Sequence, residues 1–213
     1  DMADGVRELV HLEDPIGVVI ERIEPPNGLV IEKIRVPLGV VGMIYEARPN
    51  VTVDAAAIAL KSGNAILLRG SSSALRSNTA LADIMREAVE GAGLDPNVIS
   101  LVAIGGHETA RDMMRLNGYI DVIIPRGGAS LIKSVVENST VPVIETGVGN
   151  CHVFVDATAD YDMAERIVLN AKLQRPAVCN AMEALLIADG WGEDNARRLL
   201  NALMESGVTI HGD

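Results

Sequence analysis

The chain has 213 residues, a formal net charge of -11 and a sequence pI of about 4.8. That length suits one large or two small domains burying roughly 70% of the unfolded surface, and the negative balance repels nucleic acid and anionic lipid, so neither is expected as a partner. Aromatic residues are only 2% of a composition that is 48% hydrophobic, so Val, Ile, Leu and Ala must fill the core, which favours layered α/β packing.

A short acidic helix is expected to open the chain. Val18 to Ile23 and Leu29 to Val36 are β-rich runs separated by Pro25-Pro26-Asn27-Gly28, the pattern of a hairpin. Gly39 to Tyr45 is a continuous apolar run, as for a strand buried on both faces. A repeated rhythm then predicts a strand over Ala65 to Leu68, and a helix with Leu81, Ile84, Met85 and Ala88 on one face, ended by Gly91 and Gly93. A strand over Val98 to Ala103, a helix over His107 to Leu116, a strand over Ile120 to Ile124 and a helix over Ala129 to Glu137 follow, and Val141 to Ile144 closes the series. Such alternation implies parallel βαβ units in a doubly wound sheet.

A second α/β segment is expected from Glu145, dividing the chain into domains at 1–144 and 145–213. Its elements are a strand at Val153 to Val155, a helix with Ala164, Ile167, Val168 and Ala171 in a stripe, a strand at Ala184 to Ile187, and a helix aligning Ala196, Leu199, Leu200 and Leu203. Val208 to Ile210 reads as the start of a further strand. The pattern stops in mid-unit, which predicts a piece of a longer protein.

Two cysteines, Cys151 and Cys179, cannot make a disulfide framework. The start has no basic region followed by an apolar one, and no apolar run reaches membrane-span length. A soluble protein of a reducing, cytoplasmic compartment is expected, with no membrane contact.

Ligands of an open parallel sheet bind at the carboxyl ends of its strands. The segments expected there are Glu46-Ala47-Arg48-Pro49-Asn50, Arg69-Gly70-Ser71-Ser72-Ser73, Gly105-Gly106-His107, Pro125-Arg126-Gly127-Gly128, Glu145 to Asn150, and Gln174 to Asn180. Arginines and glycines in such places suit anion contacts and close backbone approach. No G-x-G-x-x-G occurs. From the residues alone the reading ends at an α/β protein that binds a phosphorylated ligand.

Four long blocks carry a resemblance. They are Val36 to Thr52 (VPLGVVGMIYEARPNVT), Asp121 to Gly128 (DVIIPRGG), Glu145 to Val153 (ETGVGNCHV) and Gln174 to Ala181 (QRPAVCNA). In content and order they are similar to γ-glutamyl phosphate reductases, of the aldehyde dehydrogenase superfamily. The resemblance implies a variant Rossmann domain without the glycine fingerprint, joined to the start of a second α/β catalytic domain. It implies NADPH-dependent reduction of L-glutamyl 5-phosphate to glutamate 5-semialdehyde with release of phosphate, in proline biosynthesis. The family's N-terminal helices and the rest of its catalytic and oligomerisation regions lie outside this chain. A homo-oligomer, with the 18–36 hairpin making subunit contacts, and coupling or fusion to a glutamate 5-kinase are further expectations.

By the same resemblance Cys179 is the nucleophile, where a lone cysteine would ordinarily be packed in the core. Asn50 corresponds to the side-chain oxyanion donor; its plain alternative is a turn residue after Pro49. Glu145 resembles the superfamily's general base, with thiol deprotonation or cofactor positioning as its role here. Arg69, Gly70, Ser71 and Ser72 fall where adenosine ribose is held; serines with Arg69 and Arg76 nearby suit a 2′-phosphate, hence NADPH, against the alternative of a solvated loop. Gly127 and Gly128 would let backbone approach the cofactor. Arg48, Arg126 and Arg175 are candidates for the acyl phosphate or the α-carboxylate. Cys151 reads as a packed strand residue, His107 as a helix starter, and no metal site is expected. The rival readings are another acylating or hydrolytic aldehyde dehydrogenase, and a non-catalytic binding module.

Overall fold

The computed structural model describes residues 2–103, 106–147 and 149–212. The chain divides into two compact units, Asp1–Thr146 and Gly147–Asp213.

In the first unit, helix α1 (Met2–His11) precedes strands β1 (Val19–Ile23) and β2 (Ile31–Ile34). These two strands pair antiparallel, and every residue in both is exposed. Next come β3 (Val40–Tyr45), α2 (Pro49–Lys61), β4 (Ala65–Arg69), α3 (Leu75–Gly91), β5 (Ile99–Leu101), α4 (His107–Met113), β6 (Val122–Arg126) and α5 (Ala129–Asn138). The sheet order is β5-β4-β3-β6, parallel throughout. One face packs Tyr45, Ile66, Leu68 and Ile99 against Val51, Ala56 and Ala59 of α2 and Val89 of α3. The other packs Ile44 and Ile123 against Ala110 and Met113 of α4 and Val135 of α5. Leu68 and Ile123 are fully buried, each such side chain contributing about 1.5–3 kcal/mol of transfer free energy. The sheet is therefore doubly wound, with β3 buried on both faces at Val41, Gly42, Ile44 and Tyr45 as its apolar run predicts, and β4 fully buried on one face and half-buried on the other.

Helix α2 was not among the expected elements. Its signals are local: Pro49 sits in the first turn and Arg48, with φ -128°, is the extended residue before it. The Ser62 hydroxyl bonds the Ile58 carbonyl at 2.8 Å at its end, and Gly63 follows at φ 72°. Two other expectations are corrected. Val141 to Ile144 is not a full strand: only Val143 bridges to Ile123, because Pro142 has no N–H to give the ladder. On α3 the expected stripe does share one face; the buried residues are Asn78, Ala82 and Val89, and Ile84 is 62% exposed. Leu81, Ile84, Met85 and Ala88 instead line an open apolar groove of about 810 Å³ with Val6 and Val10 of α1 and Val53 and Leu60 of α2.

The second unit is one βαβ crossover plus a helix: β7 (His152–Val155), α6 (Tyr161–Leu173), β8 (Ala184–Ile187) and α7 (Glu193–Glu205). Strands β7 and β8 pair parallel. Asp160 caps α6 by accepting the Met163 N–H at 2.9 Å. Val155, Ala164, Val168, Trp191, Leu199 and Leu203 form the core, and the Trp191 indole N–H donates to the Ala159 carbonyl at 2.7 Å. Ile167 of the expected stripe is 52% exposed. Val208 to Ile210 is the second correction. Gly207, at φ 84°, turns the chain so that the Val208 N–H closes α7 on the Leu203 carbonyl at 3.1 Å, which is a helix cap and not a ladder.

Candidate active site

In the first unit β3 runs outward to β4 and β5 on one side, and the chain returns to β6 on the other. The order therefore reverses between β3 and β6, and ligands of such sheets bind at that point, beyond the carboxyl ends of the strands. Tyr45 and Arg126 are paired at the end of the two strands. The Glu46 N–H then donates to the Arg126 carbonyl at 3.2 Å, and the Glu46 carboxylate accepts the Gly128 N–H at 3.0 Å, at the start of α5. A negative charge at a helix start is favourable. A Cβ on Gly127 would stand 2.7 Å from the Glu46 carboxyl carbon and 2.8 Å from Leu131. What comes close to Gly127 here is the chain's own Glu46, a residue the sequence reading did not single out; no spacing rule marks its bond to Gly128, 82 residues away.

Arg48, Asn50 and Arg126 share a cleft of about 390 Å³ floored by Val41, Met43 and Ile124. All three are exposed. Asn50 lies in the first turn of α2, where its amide donates to Asp54 at 3.1 Å.

One strand over, Arg69 ends β4 and its guanidinium donates to the Gly106 carbonyl at 2.6 Å. Gly70 is pressed on the buried side of the sheet: a Cβ there would overlap Asn78 and the Tyr45 ring. Beneath it the Tyr45 hydroxyl and the Thr52 hydroxyl bond at 2.7 Å, and Thr52 donates to the Asn78 side-chain carbonyl at 3.3 Å. Burial pushes the Tyr45 phenol above the ordinary tyrosine value, and the Thr52 bond opposes that push. Ser71 accepts the Ser73 N–H at 3.3 Å, leading into a 3₁₀ turn over Ser72–Ala74, with Ser72 exposed. Of the β5–α4 segment, Gly105 and the His107 side chain lie outside the described residues; the His107 backbone begins α4.

Glu145 is exposed near the end of the first unit, and Val148 lies outside the described residues. In the second unit Cys179 is exposed, in the turn that joins α6 to β8. The Val178 N–H bonds the Arg175 carbonyl at 3.1 Å and the Ala181 N–H bonds the Val178 carbonyl at 3.2 Å. Arg175 is exposed in the same turn. Cys151, just before β7, is half-buried, and its thiol donates to the Cys179 carbonyl at 3.3 Å. Among the described residues no group of three or more His, Cys, Asp or Glu is placed to hold a metal ion, and no helix is long and apolar enough to cross a membrane.

Comparison with known proteins follows the same lines. The profile of the aldehyde dehydrogenase family matches residues 10–209. The chain is 57% identical over 213 residues to γ-glutamyl phosphate reductase 1 of Bacillus licheniformis, covering 100% of this chain and 51% of that protein. It is 58% identical over 212 residues to γ-glutamyl phosphate reductase of Clostridium acetobutylicum, again covering 100% and 51%. The crystal structure of γ-glutamyl phosphate reductase from Thermotoga maritima superposes with a TM-score of 0.89 at 43% identity, over 97% of this chain and 50% of that one. The chain thus spans about half the length of the curated relatives it matches.

Proposed function

The chain belongs to the aldehyde dehydrogenase family, and on that premise we propose that the full-length protein carrying it reduces L-glutamyl 5-phosphate to L-glutamate 5-semialdehyde, with Cys179 as nucleophile and NADPH as reductant. The observation that carries this reading is identity of 57% across all 213 residues to a γ-glutamyl phosphate reductase, with the one exposed cysteine of the chain in the block that resembles the family's nucleophile.

The chemistry follows from the thiol. The Cys179 thiolate attacks the acyl carbon, the bond to the phosphate oxygen breaks, and phosphate leaves behind a thioester. When bound, NADPH supplies the hydride that reduces this thioester. Collapse of the tetrahedral adduct breaks the C–S bond, frees the aldehyde and restores the thiolate. The Cys179 N–H and the Asn50 amide are the proposed donors to the tetrahedral oxygen, with Glu145 as the carboxylate for thiol deprotonation or cofactor positioning. Arg48, Arg126 and Arg175, all exposed, are proposed for the substrate's phosphate and carboxylate.

The donor set at the end of β4 suits a 2′-phosphate: Ser71, Ser72 and Ser73 with Arg69 and Arg76, and no carboxylate among them. Arg69, Gly70, Ser71 and Ser72 would hold the ribose end of the cofactor, and Gly127 and Gly128 its middle. The exposed β1–β2 pair supports a role in contacts between subunits, since an isolated hairpin is marginal in water.

Full-length protein should oxidise NADPH only while a glutamate 5-kinase generates glutamyl phosphate in the assay, and Cys179→Ala should abolish turnover. Undiminished turnover in that variant refutes the assignment. Preference for free aldehydes plus water would replace it with a hydrolytic aldehyde dehydrogenase.

A further inference from the structure

Cys151 and Cys179 are separated by 27 intervening residues but meet at the foot of β7. The Cys151 thiol donates to the Cys179 carbonyl at 3.3 Å. A carbonyl oxygen lies about 2.4 Å from its own Cα, so the Cys151 sulfur stands within about 6 Å of the Cys179 Cα. A disulfide holds its Cα atoms about 4.4–6.8 Å apart with the two side chains facing each other, so bonding requires the Cys179 side chain to turn toward a sulfur already resting on its own backbone. Cys151 is the anchored partner: its carbonyl accepts the N–H groups of Glu183 at 2.8 Å and Ala184 at 3.1 Å, at the start of β8. Cys179 lies outside any helix or strand, in a turn whose backbone hydrogen bonds, Val178 to Arg175 and Ala181 to Val178, are local. Accessibility is unequal, since Cys179 is exposed and Cys151 half-buried.

We infer that these two residues form an oxidative modification site, at which a peroxide converts Cys179 to a sulfenic acid that Cys151 resolves as an intramolecular disulfide. The Cys179 sulfur attacks one peroxide oxygen, the O–O bond breaks, and sulfenic acid and one water result. The Cys151 sulfur then attacks the Cys179 sulfur; the S–S bond forms, the S–O bond breaks, and the hydroxyl leaves as a second water with the Cys151 proton. In sum two thiols and one hydrogen peroxide give one disulfide and two waters. The disulfide shields the exposed sulfur from irreversible sulfinic and sulfonic acids and is reopened by thiol reductants. It needs both thiols to be free, as they are, and goes beyond the proposed reaction, in which Cys151 has no part.

The experiment treats the full-length protein with hydrogen peroxide in severalfold excess, because carrying a sulfenic acid on to sulfinic acid consumes a second peroxide, then alkylates the remaining thiols and maps peptides by mass spectrometry without reduction. The expected product links the Cys151 peptide to the Cys179 peptide, two hydrogens lighter than the pair, and dithiothreitol restores both thiols. Cys151→Ser, conservative in size, should instead leave Cys179 oxidised past the sulfenic acid and no longer recovered by reductant. The inference is overturned if wild-type Cys179 reaches sulfinic acid while Cys151 stays alkylatable, or if either sulfur pairs with a cysteine elsewhere or in another molecule. Because the readout is a mass, it stands or falls independently of whether Cys179 is the nucleophile.

Discussion

The Glu46 carboxylate accepts the Gly128 N–H at 3.0 Å, joining the end of β3 to the start of α5 at the point where the strand order reverses. The same side chain fills the space a Cβ on Gly127 would need, with contacts of 2.7 and 2.8 Å to its carboxyl end. Gly127 is thus fixed by an internal neighbour, whatever else comes to this turn.

Gly127→Ala should therefore destabilise the full-length protein by about 1–3 kcal/mol, the usual cost of overpacking. In a Glu46→Ala background the same substitution should cost less, because the obstructing atoms are gone and only Leu131 must shift. Urea denaturation of the four variants gives the coupling, expected at about 0.5 kcal/mol or more for residues in contact. Equal costs in the two backgrounds would show that Glu46 is not what restricts Gly127.

The sheet was legible because burial on both faces leaves a continuous apolar run, as at Gly39 to Tyr45, and the loops at strand ends could be found by counting outward from such runs. Single residues broke the pattern elsewhere. Pro142 removes the N–H that would have extended Val141 to Ile144 into a strand, and Gly207 turns the Val208 N–H back into a helix cap. The α3 stripe was periodic as read, but periodicity marks an apolar face without saying which neighbour meets it; here it lines the groove with α1 and α2. The contacts of Glu46 and Cys151 were not legible for a different reason. Their partners, Gly128 and the Cys179 carbonyl, are distant in sequence and are backbone groups, which leave no trace in residue type.

Tyr45, 1% exposed, makes a prediction in pH. Tyr45→Phe removes the bond to Thr52 and should cost about 0.5–1.5 kcal/mol near neutrality, with Thr52 still bonded to Asn78. Burial raises the folded phenol above its unfolded value of about 10. The protonated form is favoured by the fold, so its contribution is present in full below about pH 10 and is lost as pH rises through the raised folded value. The stability gap between wild type and Tyr45→Phe should accordingly narrow above pH 10 in denaturation curves taken at successive pH values. A gap that is constant with pH would mean the phenol ionises as readily folded as unfolded.

Ser72 offers the sharpest test of cofactor choice. It is exposed in the turn after β4, beside Arg69, whose guanidinium is held on the Gly106 carbonyl at 2.6 Å. A carboxylate at this place would repel a 2′-phosphate and accept a hydrogen bond from a 2′-hydroxyl, so both effects act in the same direction on the choice between NADPH and NADH. Ser72→Glu should weaken NADPH binding about tenfold or more, equivalent to about 1.4 kcal/mol, while NADH binding holds or improves; Ser72→Ala should change the ratio far less. Calorimetric titration of the full-length variants with each nucleotide reads this directly. If Ser72→Glu leaves the NADPH-to-NADH ratio unchanged, the β4 turn does not face the ribose and the proposed basis for NADPH is wrong.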